Sequence, residues 1–171
     1  MARAWFGSFF PEWNLPSRVV LKKEKKGWEE EFEMEKATYA RLRPLQGTVI
    51  PKFLGELRCD NTRALLLSDI GGVCLATPEG ALLEVADFRR MLYQALTAVS
   101  QFRILQEDIK LDNFHHIGDK IMVVDLERVS EEPLSDEQLD LGIKYAVDSL
   151  AARYEDNQFC FWEDGLITID T

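Results

Sequence analysis

The sequence has little of what marks several large classes of protein. Its three cysteines, Cys59, Cys74 and Cys160, are an odd number at wide spacing. They supply neither a disulfide framework nor a zinc site, and they suit a reducing compartment. Histidine occurs only at positions 115 and 116. Neighbours on a strand point to opposite faces, so these two are poorly placed to share a metal. Long apolar runs are missing: Leu65–Leu67 and Ile121–Val124 are far too short to span a bilayer. The opening residues carry one basic side chain and reach Pro11, Glu12 and Trp13 before any signal-peptide core develops. There is no internal repeat and no low-complexity linker. The expectation is a soluble, cytoplasmic protein with no membrane partner. A basic excess is lacking too. Lys plus Arg number 20 against 30 Asp plus Glu, a formal net charge of −10. This argues against nucleic acid or anionic lipid as a partner. Residues 1–124 balance, and residues 125–171 carry the whole deficit, which reads as a solvated acidic surface.

What is present is ordinary globular composition, 46% hydrophobic and 29% charged in 171 residues, enough for one domain. Ser17–Lys22 is β-branched after Pro16 and reads as a strand. A helix is expected from Trp28 to Arg43, ending before Pro44. Thr48–Leu57 and Ala64–Ser68 read as paired strands about a turn at Cys59–Thr62. Gly71-Gly72 breaks the pattern as a hinge. Beyond it, Val85, Phe88, Leu92, Ala95, Leu96, Val99 and Phe102 repeat with a helical period. Phe114–Ile117 and Lys120–Asp125 flank Gly118-Asp119 as a hairpin. Ser135 and Gln138 have capping-box spacing ahead of a stripe of Leu139, Ile143, Ala146, Val147, Leu150 and Tyr154. Residues 157–171 read as a terminal strand or loop. The fold class is therefore α+β. A small sheet-rich lobe (1–69) and a hinge (70–72) precede a helical lobe (73–171).

Chemistry concentrates in two stretches. Asp108, Lys110 and Asn113 lie in one tight loop after a long helix, and Asp125 follows a run of four apolar residues. Phosphoryl transfer uses these parts: a carboxylate to orient a hydroxyl, a cation to meet charge, and a carboxylate with an amide to hold Mg²⁺ against phosphates. A second pair follows from periodicity. On the first helix Trp28, Phe32, Tyr39 and Leu42 define one face, at about 0°, 40°, 20° and 320°. Glu35 falls at about 340°, in the middle of that face, whereas Glu33 falls at about 140° and Glu31 at about 300°. A glutamate centred on a buried face needs a cation, and Lys22 on the preceding strand is the obvious one.

The ordered set of Lys22, Glu35, the Gly71-Gly72 hinge, Asp108-x-Lys110-x-x-Asn113 and Asp125 resembles the protein-kinase-like superfamily. The likeness is to its divergent aminoglycoside-phosphotransferase and fungal kinase-like members, over roughly residues 17–129. The resemblance implies a compact, truncated kinase-like fold that binds ATP and Mg²⁺ and transfers phosphate to a hydroxyl of a small molecule or protein. It implies Asp108 as the catalytic base and Lys110 as the partner of the γ-phosphate. Asn113 and Asp125 would be metal ligands. Lys22, set by Glu35, would hold the nucleotide phosphates, and the Leu65–Gly72 stretch, with Asp69, would hold the adenine.

Three departures stand against that pattern. No glycine-rich loop precedes Lys22, where only Gly7 is available; Gln106 stands where the family has histidine; and Leu126-Glu127 follows Asp125 in place of Phe-Gly. The first two favour, as the alternative, a pseudokinase that keeps the fold and binds or regulates without transfer. A cleft reused for a small metabolite is a further alternative, as is a partner subunit that supplies missing pieces. The aromatic N-terminus (Trp5, Phe6, Phe9, Phe10) suits self-association. Each motif also has a structural reading: Lys22–Glu35 as an ion pair, Asp108–Asn113 as a loop cap, and Asp125 as a strand-end carboxylate. Trp28, Phe32 and Tyr39 are expected in the core.

Overall fold

The computed structural model describes residues 16–130 and 134–168. The aromatic N-terminal residues and Gly7 lie outside the described residues.

Strand β1 (Val19–Lys23) leads through a turn at Lys26-Gly27 into helix α1 (Glu29–Arg41). Strands β2 (Phe53–Cys59) and β3 (Thr62–Ser68) form a hairpin on a two-residue turn. Its residues Asp60 and Asn61 both have positive φ, the backbone that Asp and Asn tolerate best among side-chain-bearing residues. The sheet order is β1-β3-β2, all antiparallel, so the most buried strand, Ala64–Leu67, is central and β1 is an edge. Glu35, Thr38, Tyr39 and Phe32 of α1 are buried.

The hinge leads into β4 (Val73–Cys74), which pairs with β5 (Phe114–Ile117), itself paired with β6 (Lys120–Val123). Gly71 and Gly72 both have φ in the left-handed region. A Cβ on Gly72 would sit 2.5 Å from the His116 carbonyl oxygen, so glycine is required there for space as well as for φ. Helix α2 (Val85–Ser100) buries Phe88, Met91, Leu92, Ala95, Leu96 and Val99 against helix α3 (Asp136–Glu163) and β6. The Phe88 and Tyr154 rings stack at 4.3 Å. The Tyr154 hydroxyl donates to the Gly80 carbonyl and accepts from the Leu83 N–H. The Ser135–Gln138 capping box opens α3. The fold is thus α+β, a three-stranded sheet with one helix ahead of a second small sheet with two helices. No helix among the described residues is long and apolar enough to cross a membrane.

Four expectations change. The first helix stops at Arg41; Pro44 is accommodated in a 3₁₀ turn over Arg43–Leu45, where its missing N–H is not needed. Residues 48–52 are not strand: the N–H groups of Thr48, Val49 and Ile50 all point back to the Leu45 carbonyl, and pairing begins at Phe53. Residues 157–163 are not a terminal strand or loop but the last turns of α3. Gln158 donates to the Ala81 and Leu83 carbonyls, and Phe161 packs on the core. Trp28 is only half-buried, lying between Lys25 and Arg128 as a cation–π partner of both.

Candidate functional site

The centre of the site is the Lys22 ammonium. β1 carries it, α1 presents Glu35, and the turn after β6 presents Asp125. Lys22 Nζ lies 2.9 and 2.8 Å from the two Glu35 carboxylate oxygens and 2.8 Å from Asp125 Oδ1. Glu127 stands at 3.7 Å. Glu35 is 1% exposed. Burial alone would depress the Lys22 ammonium, but Glu35 and Asp125 beside it outweigh that and hold it above its ordinary value. Burial raises the Glu35 carboxyl, an effect that Lys22 offsets only in part. Glu35 also receives the Leu126 N–H at 3.4 Å, tying α1 to the segment after β6. Behind it Tyr39 is fully buried, and its hydroxyl has no hydrogen-bond partner among the described residues.

The second cluster sits at the same end of the β5–β6 hairpin, on the segment that leads into β5. Asn113 Nδ2 donates to the Asp108 carbonyl at 2.8 Å and to Asp108 Oδ2 at 3.2 Å. Lys110 Nζ donates to Asp108 at 3.0 Å. Burial would raise the Asp108 carboxyl, but the hydrogen bonds from Lys110 and Asn113 and the charges of Lys110 and Arg128 hold it below its usual range. Asp108 is therefore an ionised acceptor at neutral pH. The clusters are joined through backbone: the Val124 N–H bonds the Asn113 carbonyl at 2.9 Å, which places Asn113 beside the approach to Asp125.

A cleft of about 360 Å³ opens between the first sheet and the start of β5. Lys22, Asn113 and Asp125 line one part of it, and Ser68, Asp69, Ile70 and Gly71 line the hinge side. Asp108 and Lys110 are not in its lining; they stand behind Asn113. Asp69 reaches the cleft wall with both carboxylate oxygens engaged, one by the Gly71 N–H at 2.8 Å and the other by Arg18 at 3.1 Å. Its local task is to hold the hinge turn.

Among the described residues no group of three or more His, Cys, Asp or Glu is placed to hold a metal. Asn113 and Asp125 offer one amide and one carboxylate. That hard-oxygen pair suits Mg²⁺ shared with phosphate oxygens rather than a closed protein cage. Asn113 directs its NH₂ at Asp108, so its carbonyl oxygen is left for another ligand.

Three further residues take part that the sequence reading gave no place in the site. Gln106, where the resembled family has histidine, is buried and donates to the Asp125 carbonyl at 2.9 Å, so it supports the Asp125 turn directly. Glu127 bridges Lys22 and Lys25. His115 lines the cleft from β5 with a buried Nδ1 that has no partner among the described residues. The alternation of β5 is the signal that puts His115 and His116 on opposite faces. Comparison with known proteins adds no assignment: no protein-family model and no curated protein matches this chain.

Proposed function

We propose that this chain is a kinase-like phosphotransferase that binds ATP with Mg²⁺ and passes the γ-phosphoryl group to a hydroxyl of a small molecule or protein, acting as a soluble cytoplasmic enzyme. The observation that carries the reading is the meeting of Lys22, Glu35 and Asp125, drawn from three separate elements, with Lys22 and Asp125 lining a cleft shared with the hinge and Glu35 buried behind them. Burying an anion as completely as Glu35 is costly unless it fixes something, and what it fixes is an ammonium facing the cleft. With nucleotide present, Lys22 is positioned to hold phosphate oxygens, and Asp125 and Asn113 to share the metal. The metal's contribution is to neutralise charge on the transferred group. Asp108, kept ionised, accepts the hydrogen bond of the attacking hydroxyl and aligns its oxygen with the γ-phosphorus. The bond to the β–γ bridging oxygen breaks, ADP leaves, and the hydroxyl proton passes toward Asp108. Lys110 offsets charge on the moving group.

One observation favours a second reading, a pseudokinase that binds nucleotide without transfer. Val20 and Leu21, which line the cleft, are 47% and 43% exposed on the edge strand. No described strand covers them on that side. Calorimetric titration of ATP with magnesium, together with ADP formation, separates the two. The enzyme reading requires binding and ADP formation in the wild type, and binding without ADP formation in Asp108→Asn. Binding with no ADP formed by the wild type selects the second reading. No binding at all removes both.

A further inference from the structure

We propose that the outer face of α3 is a docking surface for a basic amphipathic helix of another protein. This surface is separate from the nucleotide cleft, and its assignment does not rest on the cleft. The 28-residue helix carries two apolar stripes. The inner stripe, Leu139 through Tyr154, is buried in the core. At 100° per residue, Leu141, Tyr145, Ala152 and Phe159 fall within about 40° of one another on the opposite side, with Trp162 alongside.

All five are exposed: Leu141 by 61%, Tyr145 by 69%, Phe159 by 55% and Trp162 by 51%, with Ala152 in the same class. The Phe159 and Trp162 rings already lie 6.2 Å apart. Single exposed apolar residues are common, but a line of them along about 30 Å of one helix marks an interaction surface. The spacing is that of a helix–helix seam. Steps of four and three run from 141 through 145, 148, 152, 155 and 159 to 162, with Asp148 and Glu155 at the polar positions. Helix α2 cannot be the occupant, because it packs on the inner side through Phe88 and Tyr154.

Charge selects the partner. Glu155 lies in the seam and Glu137, Asp156 and Glu163 stand beside it, and none of the four has an ion-pair partner among the described residues. Asp148 is met by Arg89. The basic side chains of α3 are engaged elsewhere: Lys144 pairs with Asp140, and Arg153 donates to the Ile109 carbonyl. A second copy of this chain would bring acid against acid. A helix with leucines or aromatics at seam spacing and Lys or Arg on its flanks matches both features.

The test uses the full chain and a dye-labelled synthetic helix of about three heptads, with Leu at the seam and Lys on the flanks. Its twin carries Glu in place of Lys. Fluorescence anisotropy should show binding of the Lys peptide, weakened when ionic strength rises from about 0.01 M to about 1 M, and no binding of the Glu peptide. Tyr145→Glu with Phe159→Glu should lower affinity by about tenfold or more. The unfolding midpoint should hold, since both side chains face outward. The reversal Glu155→Lys with Asp156→Lys should weaken the Lys peptide and admit the Glu peptide. Equal binding of both peptides overturns the proposal, as does binding insensitive to the stripe substitutions. A concentration-dependent dimer dispersed by Phe159→Glu would assign the face to a second copy and overturn it as well.

Discussion

Removing the Lys22 ammonium should destabilise the protein more than removing the Glu35 charge, and the two losses should not add. In Lys22→Met the Glu35 carboxylate remains 1% exposed, with the Leu126 N–H at 3.4 Å as its remaining donor. A buried carboxylate stripped of its cation costs about 3–5 kcal/mol. In Glu35→Gln the ammonium keeps Asp125 at 2.8 Å and Glu127 at 3.7 Å. The loss is then one charge-assisted bond, about 1.5–3 kcal/mol. With both substitutions no unpaired charge is buried, so the double variant should fall short of the sum by about 2 kcal/mol. Urea unfolding followed by circular dichroism gives these values, provided the slopes agree. pH supplies an internal check. Burial already raises Glu35, and losing Lys22 raises it further. A carboxyl raised in the folded state adds stability that is full below its unfolded value and is lost as pH rises through the folded one. Lys22→Met should therefore recover ground on the wild type between about pH 7 and about pH 5. Additive losses, or a Lys22→Met deficit that is the same at both pH values, would refute the reasoning.

Two buried tyrosines should respond in opposite ways. Tyr154→Phe strands the Leu83 N–H and the Gly80 carbonyl and should cost about 1–3 kcal/mol. Tyr39→Phe removes a hydroxyl with no partner and should be neutral or stabilising by up to about 1 kcal/mol in the same urea assay. At the hinge, Gly71→Ala meets open space and should cost only its positive φ, about 1 kcal/mol. Gly72→Ala adds a clash with the His116 carbonyl and should cost at least twice as much; equal losses would contradict the described turn. Arg63 at 2.7 Å and Lys36 at 2.6 Å hold the Glu56 carboxyl down at about 2. Its contribution is present at neutral pH and is lost as pH falls from about 5 toward 2. Lying at the surface, it is screened by solvent to about 1 kcal/mol or less. Glu56→Gln should flatten that limb of the stability–pH curve.

The elements with a regular period were legible in the sequence, and so was Glu35. It is the one acid centred on the apolar face of α1, and it is buried against Lys22. The hairpin about Gly118 and the capping box at Ser135 were legible because each is a local rule satisfied by a few adjacent residues. Contacts that depend on chain path were not. Nothing local to Lys22 announces that Asp125, 103 residues away, completes its cage. Nothing local to Gln106 announces that its amide supports the Asp125 turn. The last turns of α3 were missed because Phe159 and Trp162 belong to the outer stripe. A reading that follows only the core stripe loses the helix after Tyr154. Residues 48–52 were missed because an apolar, β-branched run was drawn into a turn by the single carbonyl of Leu45.

The most direct test of a nucleotide held at Lys22 and Asp125 is thermal unfolding with ATP, with and without magnesium, on wild type and Asp125→Asn. Ligand at about a hundred times its dissociation constant stabilises by about 2.7 kcal/mol, a rise of roughly 5–10 °C for a chain of this size. A metal-dependent rise in the wild type that is absent from a folded Asp125→Asn is the predicted result. An unmoved midpoint in the wild type, or an equal rise in both proteins, would contradict it.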